Sequence, residues 1–339
     1  MRAVHIERHG PAESLAIADV PAPQPAPHEV LVRVHACGVN RLDLLLREGK
    51  VFQVPLPRIP GTDFSGTIVA AGADVTGRRI GERVLAAPIL SCGQCEHCLH
   101  GDDNLCKTFG TVGSAIDGGY AELVRIPARN AVPMPEALDW ITAASFGLTY
   151  ATAAAMLRRG RLSDGETVLV LGASGGLGYA AVEIARSAGA RVIAACRGEQ
   201  RSAALLSLGA DAVVEPGPGM AERVRQLTGG KGVELVFEHV AAATFEQSIA
   251  SLATDGRLVL GGVTTGTEAP LDLKAVFTKR LEVLGCRGSG RKDLDHVLGL
   301  LACGAVRPHV EHVLPLEHAT QAHRLLDSGQ LLGKIVLTV

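Results

Sequence analysis

Residues 167–197 read TVLVLGASGGLGYAAVEIARSAGARVIAACR, and this stretch leaves the chain little choice of fold. It opens on an apolar run, Val168, Leu169, Val170 and Leu171, the pattern of a parallel strand buried on both faces. The turn Ala173-Ser174-Gly175-Gly176-Leu177-Gly178 follows. Ala181, Ile184, Ala185 and Ala188 then recur at helical spacing, Gly189 closes the helix, and 191–196 is a second apolar strand. Strand, glycine turn, helix and strand within about thirty residues make a βαβ unit with the dinucleotide-binding fingerprint, Ala173 standing where its first glycine would be. Gly175 lets the backbone approach a pyrophosphate, Gly178 lets the helix lie close on the sheet, and the free N–H groups at the helix start face the anion.

From about residue 128 the same rhythm repeats. Apolar strands are expected at 167–171, 191–196, 212–215, 234–238, 257–261 and 281–286, with helices around 179–188, 199–208, 220–227 and 244–253. That alternation predicts a doubly wound parallel sheet. Residues 1–127 differ. Their short runs at 30–34, 66–70, 83–86 and 121–126 are broken by Pro and Gly, and the proline cluster at 21–27 reads as an extended connection. An all-β, barrel-like domain with little helix is expected there. The tail carries two helical stretches, 292–303 and 318–328, and closes on an apolar strand at 334–339.

A chain of 339 residues, 47% hydrophobic, has room for about two domains with substantial cores. A net charge of −2 gives no electrostatic case for nucleic acid. The start, MRAVHIERHG, lacks the apolar core of a secretory signal. Residues 140–157 carry no charge but are short for a membrane span and rich in Thr, Ser, Gly and Ala, so a buried core helix is expected. The expectation is a cytoplasmic protein acting on a small molecule, with no membrane or nucleic-acid partner.

Four of the eight cysteines, Cys92, Cys95, Cys98 and Cys106, fall within SCGQCEHCLHGDDNLC. Thiolates so spaced converge on one ion and complete the tetrahedral shell that Zn²⁺ favours. With sulfur at every corner no position is left for a substrate, so the site reads as structural. The usual bacterial iron–sulfur run has a shorter last gap and a following Pro, whereas here Lys107 follows. A set of unligated thiols is the other reading. His97 and His100 read as solvated bystanders, and Cys37, Cys196, Cys286 and Cys303 as apolar fillers.

The order of a β domain, a cysteine lobe and a nucleotide-binding domain resembles the medium-chain dehydrogenase/reductase superfamily along nearly the whole chain. The residues that carry the resemblance are Cys37-Gly38-Val39-Asn40-Arg41-Leu42-Asp43, Pro60-Gly61-Thr62-Asp63, the cysteine lobe, Asp117-Gly118-Gly119-Tyr120-Ala121-Glu122, the nucleotide turn, and Gly333-Lys334-Ile335-Val336-Leu337. The resemblance implies an α/β protein. A GroES-like β-barrel catalytic domain would span 1–127 with its zinc lobe at 91–107. A Rossmann domain would follow over 128–287, and 288–339 would return to the catalytic domain. It further implies a homodimer formed through the edge strand at 281–286.

Zinc alcohol dehydrogenases of this superfamily carry Cys at the position of Asn40 and His at that of Thr62, with a third ligand near Leu148. None of these is a zinc ligand here, and Asn40, Asp43 and Thr62 resemble the quinone oxidoreductase branch instead. The implied activity is an NADPH-dependent transfer of hydride to a quinone or an activated C=C bond, without catalytic zinc. Asn40 would donate through its amide and Thr62 through its hydroxyl to the oxygen on which charge develops. Asn40 also reads as the cap of a turn, and Asp43 as a structural hydrogen-bonding group as readily as a proton carrier. Tyr120 reads as a packed aromatic and His239 as a loop histidine rather than a relay. Cys196 stands where NAD-dependent relatives place an acid, and Arg197 and Arg201 would favour a 2′-phosphate. The rival readings are a metal-dependent alcohol dehydrogenase with ligands improvised from Asp43 or Asp63, and an NADPH-binding sensor without catalysis.

Overall fold

The computed structural model describes residues 1–51 and 53–339. They form two units, Met1–Thr149 with Gly290–Lys292 and Pro308–Val339, and Tyr150–Ser289 with Asp293–Arg307.

The second unit is built on six parallel strands, Thr167–Val170, Arg191–Ala195, Ala212–Val214, Val233–Glu238, Leu252–Leu260 and Glu282–Gly285. Their spatial order is third, second, first, fourth, fifth, sixth. The order reverses between Thr167–Val170 and Val233–Glu238, and in open sheets of this kind ligands gather beyond the strand ends at such a reversal. Leu169, Leu171, Ile193, Val236 and Leu258 form the core, all closed to solvent, which accounts for the unbroken apolar runs. One expected boundary moves. The helix expected over 244–253 runs only over Phe245–Ala250, and the next strand starts at Leu252 rather than at 257. Asp255 takes φ +60° and the register shifts between Val233 and Leu235, so residues on both sides of the bulge pair with the same neighbour.

In the first unit the longest strand, Glu29–Val39, organises a seven-stranded sheet. It pairs antiparallel with Asp63–Ala71, Leu123–Pro127 and Lys334–Thr338. The register sets Gly38 opposite Asp63 and Val39 opposite Ile335, which brings three distant stretches of sequence to one point. The last strand also pairs in parallel with Val310–Pro315. Its Ile335, Val336 and Leu337 are buried, so the tail is part of this unit's core.

The expectation of little helix overlooks Arg41–Glu48. Its signals are local: Asn40 at the N-cap, Asp43 three residues on, and Gly49 in the left-handed region at φ +67°. The stretch expected as one helix over 140–157 is two, Trp140–Ala143 and Gly147–Arg159. Asp139 caps the first through the Thr142 N–H, and the second begins against Asp63, where a Cβ on Gly147 would stand 2.8 Å from Asp63 Oδ1. Among the described residues no helix is long and apolar enough to cross a membrane.

Candidate active site, nucleotide turn and metal lobe

Where the strand Glu29–Val39 ends, the register gathers Asn40, Asp43, Asp63 and Lys334 into a buried polar cluster. Lys334 Nζ donates to Asn40 Oδ1 at 2.5 Å and to the Val39 carbonyl at 3.0 Å, and lies 3.9 Å from Asp63 Oδ2. Asn40 Nδ2 donates to Asp63 Oδ2 at 3.1 Å and reaches the Gly38 carbonyl only at 3.5 Å. Asp43 accepts the Asn40 N–H at 2.8 Å and the Gly61 N–H at 3.0 Å. Asp63 Oδ1 accepts the Leu148 N–H at 2.7 Å, and the Cys37 thiol donates to the Asp63 carbonyl at 2.9 Å. Thr62, beside Asp63 in the chain, is fully buried, and its Oγ1 has no hydrogen-bond partner.

Two carboxyl groups and one ammonium therefore share a space with little water. Burial raises Asp43 to about 7, against the pull of the Asn40 and Gly61 N–H groups and of Lys334. Burial raises Asp63 as well, opposed by Lys334 and Asn40, and pushes the Lys334 ammonium down against both aspartates. Of the three expected residues, Asn40 and Asp43 lie in this knot, and Thr62 sits between Gly61, which donates to Asp43, and Asp63. Asn40 is both the N-cap of Arg41–Glu48 and a member of the cluster, and Asp43 holds backbone. Lys334 is legible in sequence as part of the motif Gly333–Leu337 and as a lysine inside an apolar strand, and neither signal says what it meets.

Tyr120 is a packed aromatic. Its hydroxyl lies 3.2 Å from His323 Nε2, and His323 Nδ1 lies 3.1 Å from Arg47 Nη1. Burial, aided by Arg47, pushes His323 down to about 3, so the ring is neutral. Arg47 can only donate, which makes Nδ1 the acceptor and Nε2–H the donor to Tyr120.

In the second unit the nucleotide turn differs from expectation by one residue. Gly172, not the position of Ala173, takes the left-handed conformation at φ +57°, and a Cβ there would also meet the His239 ring at 3.0 Å. Gly175 is the N-cap of the helix Gly176–Ser187, and a Cβ on it would meet the Gly172 carbonyl oxygen at 3.6 Å, an ordinary contact. The first N–H groups of this helix are those a phosphate would meet. A Cβ on Gly178 would stand 2.3 Å from the Gly172 carbonyl oxygen, so the helix packs where only glycine fits. Ala173 and Ser174 are buried in the turn, and Leu177 is half-buried. Beyond the second strand Cys196 is buried, Arg197 is exposed, and the half-buried Arg201 lies near Gly198. These residues fit the dinucleotide the fingerprint implies. His239 stacks edge-on to Phe237 at 5.9 Å, while Glu238 is closed off, accepting from the Val240 and Ala241 N–H groups and the Thr244 and Ser248 hydroxyls.

The ligand atoms of Cys92, Cys95, Cys98 and Cys106 lie within 4.8 Å of one another. Cys95 and Cys98 approach to 3.5 Å, as do Cys106 and Cys92. The Cys92 N–H and the Thr108 hydroxyl hold the Cys106 thiol down, which favours the thiolate a metal needs. The donor set and its compactness fit one tetrahedral zinc. The lobe is tied down by Asp103, which accepts the Arg291 N–H at 2.7 Å, and by the Lys292–Asp102 ion pair at 2.6 Å. His97 and His100 are exposed, as expected. Cys37 and Cys196 are buried fillers and Cys286 is half-buried. Cys303 is exposed, contrary to expectation, because it follows the end of the helix Arg291–Ala302 where nothing packs over it.

Residues 26–136 match the alcohol dehydrogenase GroES-like domain, and residues 176–302 match the zinc-binding dehydrogenase domain. Over the full length of both chains, the protein is 34% identical to an alcohol dehydrogenase of Geobacillus stearothermophilus. It is 30% identical to a quinone oxidoreductase of Rattus norvegicus, covering 99% of this chain and 97% of the relative. It is 29% identical to an acryloyl-coenzyme A reductase of Metallosphaera sedula over the whole of both. A solved NAD-dependent alcohol dehydrogenase superposes with a TM-score of 0.95 at 40% identity, covering both chains completely.

Two predictions follow from this geometry. Elemental analysis is expected to give about one zinc per chain, and Cys95→Ser to lower both that content and the thermal midpoint, since a structural metal's binding energy is folding energy. Two zincs per chain would contradict the assignment. The second concerns pH. Asp43, raised from 3.8 to about 7, holds its proton more tightly in the folded chain than in the unfolded one. Its contribution to stability is therefore greatest at low pH and is lost as pH rises through that window. Denaturant midpoints across this range are expected to fall less steeply in Asp43→Asn than in the unsubstituted protein, and equal slopes would rule out a titrating Asp43.

Proposed function

Since the chain belongs to the medium-chain dehydrogenase/reductase superfamily, in its zinc-type alcohol dehydrogenase-like division, we propose that it is an NADPH-dependent reductase of quinones or activated C=C bonds that works without a catalytic metal. The observation that carries this reading is Thr62 Oγ1, a buried hydroxyl with no partner, next in the chain to a cluster whose oxygens accept hydrogen bonds from their own neighbours. Asn40 Oδ1 faces the Lys334 ammonium, and both oxygens of Asp43 and of Asp63 accept hydrogen bonds. A Lewis acid placed there would have to displace those bonds and sit beside a like charge.

Oxidising a simple alcohol asks for stabilisation of an alkoxide, the task a catalytic zinc performs. A quinone or enone asks for less, because its developing charge is delocalised onto an oxygen that neutral donors can hold. Thr62 offers its hydroxyl, and Asn40 the amide N–H that has only the long contact to Gly38. When bound, the reduced nicotinamide supplies the hydride. The names of the rat quinone oxidoreductase and the Metallosphaera acryloyl-coenzyme A reductase point to the same substrate classes. For the cofactor, Cys196 does not repel a 2′-phosphate as a carboxylate would, and Arg197 and Arg201 lie beside it in sequence to attract one. The lobe holds its zinc as a structural ion.

The protein is further read as a cytoplasmic homodimer with no nucleic-acid or membrane partner. Glu282–Gly285 is the edge strand of its sheet, and nearby Leu273 and Phe277 are 72% and 81% exposed. An apolar edge of that kind is satisfied by a second copy.

The test pairs a quinone and enone panel with an alcohol panel on one preparation, with NADPH and NADH compared. Quinone or enone reduction preferring NADPH is expected, and Thr62→Val should lower kcat by up to about a hundredfold, the cost of losing one donor to a developing oxyanion. Fast alcohol oxidation abolished by a chelator that spares the lobe zinc would overturn the reading, as would equal efficiency with NADH. Sedimentation at micromolar concentration should show a dimer, which Phe277→Asp weakens. A monomeric unsubstituted protein would remove the assembly from the proposal.

A further inference from the structure

We propose that Lys334 is a positioning residue, whose ammonium locks the Asn40 amide in the one orientation that offers an N–H to the substrate oxygen. The inference rests on the reading above in taking Asn40 as a donor.

An asparagine amide has nearly the same shape in its two flipped orientations, so packing alone does not choose between them. Here two charged neighbours choose. Lys334 Nζ, which can only donate, lies 2.5 Å from Oδ1, and Asp63 Oδ2 lies 3.1 Å from Nδ2. A flip would set the amide NH₂ against an ammonium and the amide oxygen against a carboxylate. In the orientation that remains, Nδ2 spends one hydrogen on Asp63, while the other meets only Gly38 O at 3.5 Å, the outer limit of a hydrogen bond. That hydrogen is the one a substrate oxygen can take. The ammonium on Oδ1 also draws electron density from the amide nitrogen and strengthens the N–H as a donor.

The distances argue against a plain structural ion pair. Lys334 is 3% exposed, so its charge needs partners, yet its nearest contacts are the Asn40 amide oxygen and the Val39 carbonyl, with Asp63 at 3.9 Å. A lysine kept only to neutralise an aspartate would sit on the carboxylate. The contact also joins the two ends of the first unit, since Lys334 is carried by the last strand and is set beside Asn40 only by the pairing of Ile335 with Val39.

The experiment is a double-mutant cycle on the full-length zinc-loaded protein, using Lys334→Met, Asn40→Ala and their combination, with a naphthoquinone and NADPH. Lys334→Met is expected to lower kcat about tenfold, part of what losing the donor itself costs, with NADPH affinity by fluorescence unchanged. In the Asn40→Ala background it should cost nothing further. Lys334→Arg, which keeps the charge and the donors, should restore part of the loss. Losses that multiply in the double variant, or full kcat in Lys334→Met, would overturn the proposal. Should Lys334→Met fail to fold, Asn40→Asp decides. It keeps a partner for Lys334 but has no N–H to give, so it should lose as much rate as Asn40→Ala, and full activity in it would overturn the proposal. If the unsubstituted protein oxidises alcohols and leaves quinones untouched, the reductase reading fails separately. The same cycle run on the alcohol then still reports whether Lys334 acts through Asn40.

Discussion

Charge buried in a medium of low dielectric is the constraint on which the first unit depends. Lys334, Asp43 and Asp63 are all closed to solvent, and each would destabilise the fold by several kcal/mol if left without partners. Every one of them is met. Asp43 is held by the backbone of Asn40 and Gly61, Asp63 by Leu148 and Asn40, and Lys334 by Asn40 and Val39. These partners come from the end of one strand, the start of the next, the helix Gly147–Arg159 and the last strand. The polar knot therefore forms only when all four stretches are in register, and it makes that register specific in a way apolar packing would not.

The same demand shapes the chemistry. A cluster that must satisfy its own charges has few atoms left for a ligand, and the exceptions are informative. Thr62 Oγ1 has no partner, and one Asn40 amide hydrogen has only a marginal one. Both are neutral donors. Spare neutral donors of this kind suit an oxygen that gains negative charge. In the nucleotide turn the argument is steric instead. Gly172 and Gly178 are needed for two separate reasons: a left-handed turn against His239, and contact between helix and backbone.

The cysteine lobe stands apart from both. Four sulfurs within reach of one ion replace the hydrophobic core that so short a segment cannot build, and Asp102 and Asp103 fasten it to Gly290–Lys292. The cluster at Asn40 and Lys334 is a separate arrangement, whose oxygens accept hydrogen bonds from its own neighbours. Among the described residues, the four cysteines are the group arranged closely enough to hold an ion.

The sequence alone determined what depends on neighbours along the chain. The βαβ unit follows from apolar runs and glycine spacing, the parallel sheet from their repetition, and the metal lobe from cysteine intervals, all features encoded within a few dozen residues. Even the overlooked helix Arg41–Glu48 was written locally, in Asn40, Asp43 and Gly49. Only the tertiary structure decided what depends on strand pairing across the chain. Nothing near Lys334 in sequence says that it meets Asn40. Nothing near Asn40 says which of its amide hydrogens is already taken, and nothing near Thr62 says that its hydroxyl is buried and alone. Those facts follow from Val39 lying opposite Ile335 and Gly38 opposite Asp63, a register set by the burial of apolar faces on strands well separated in sequence.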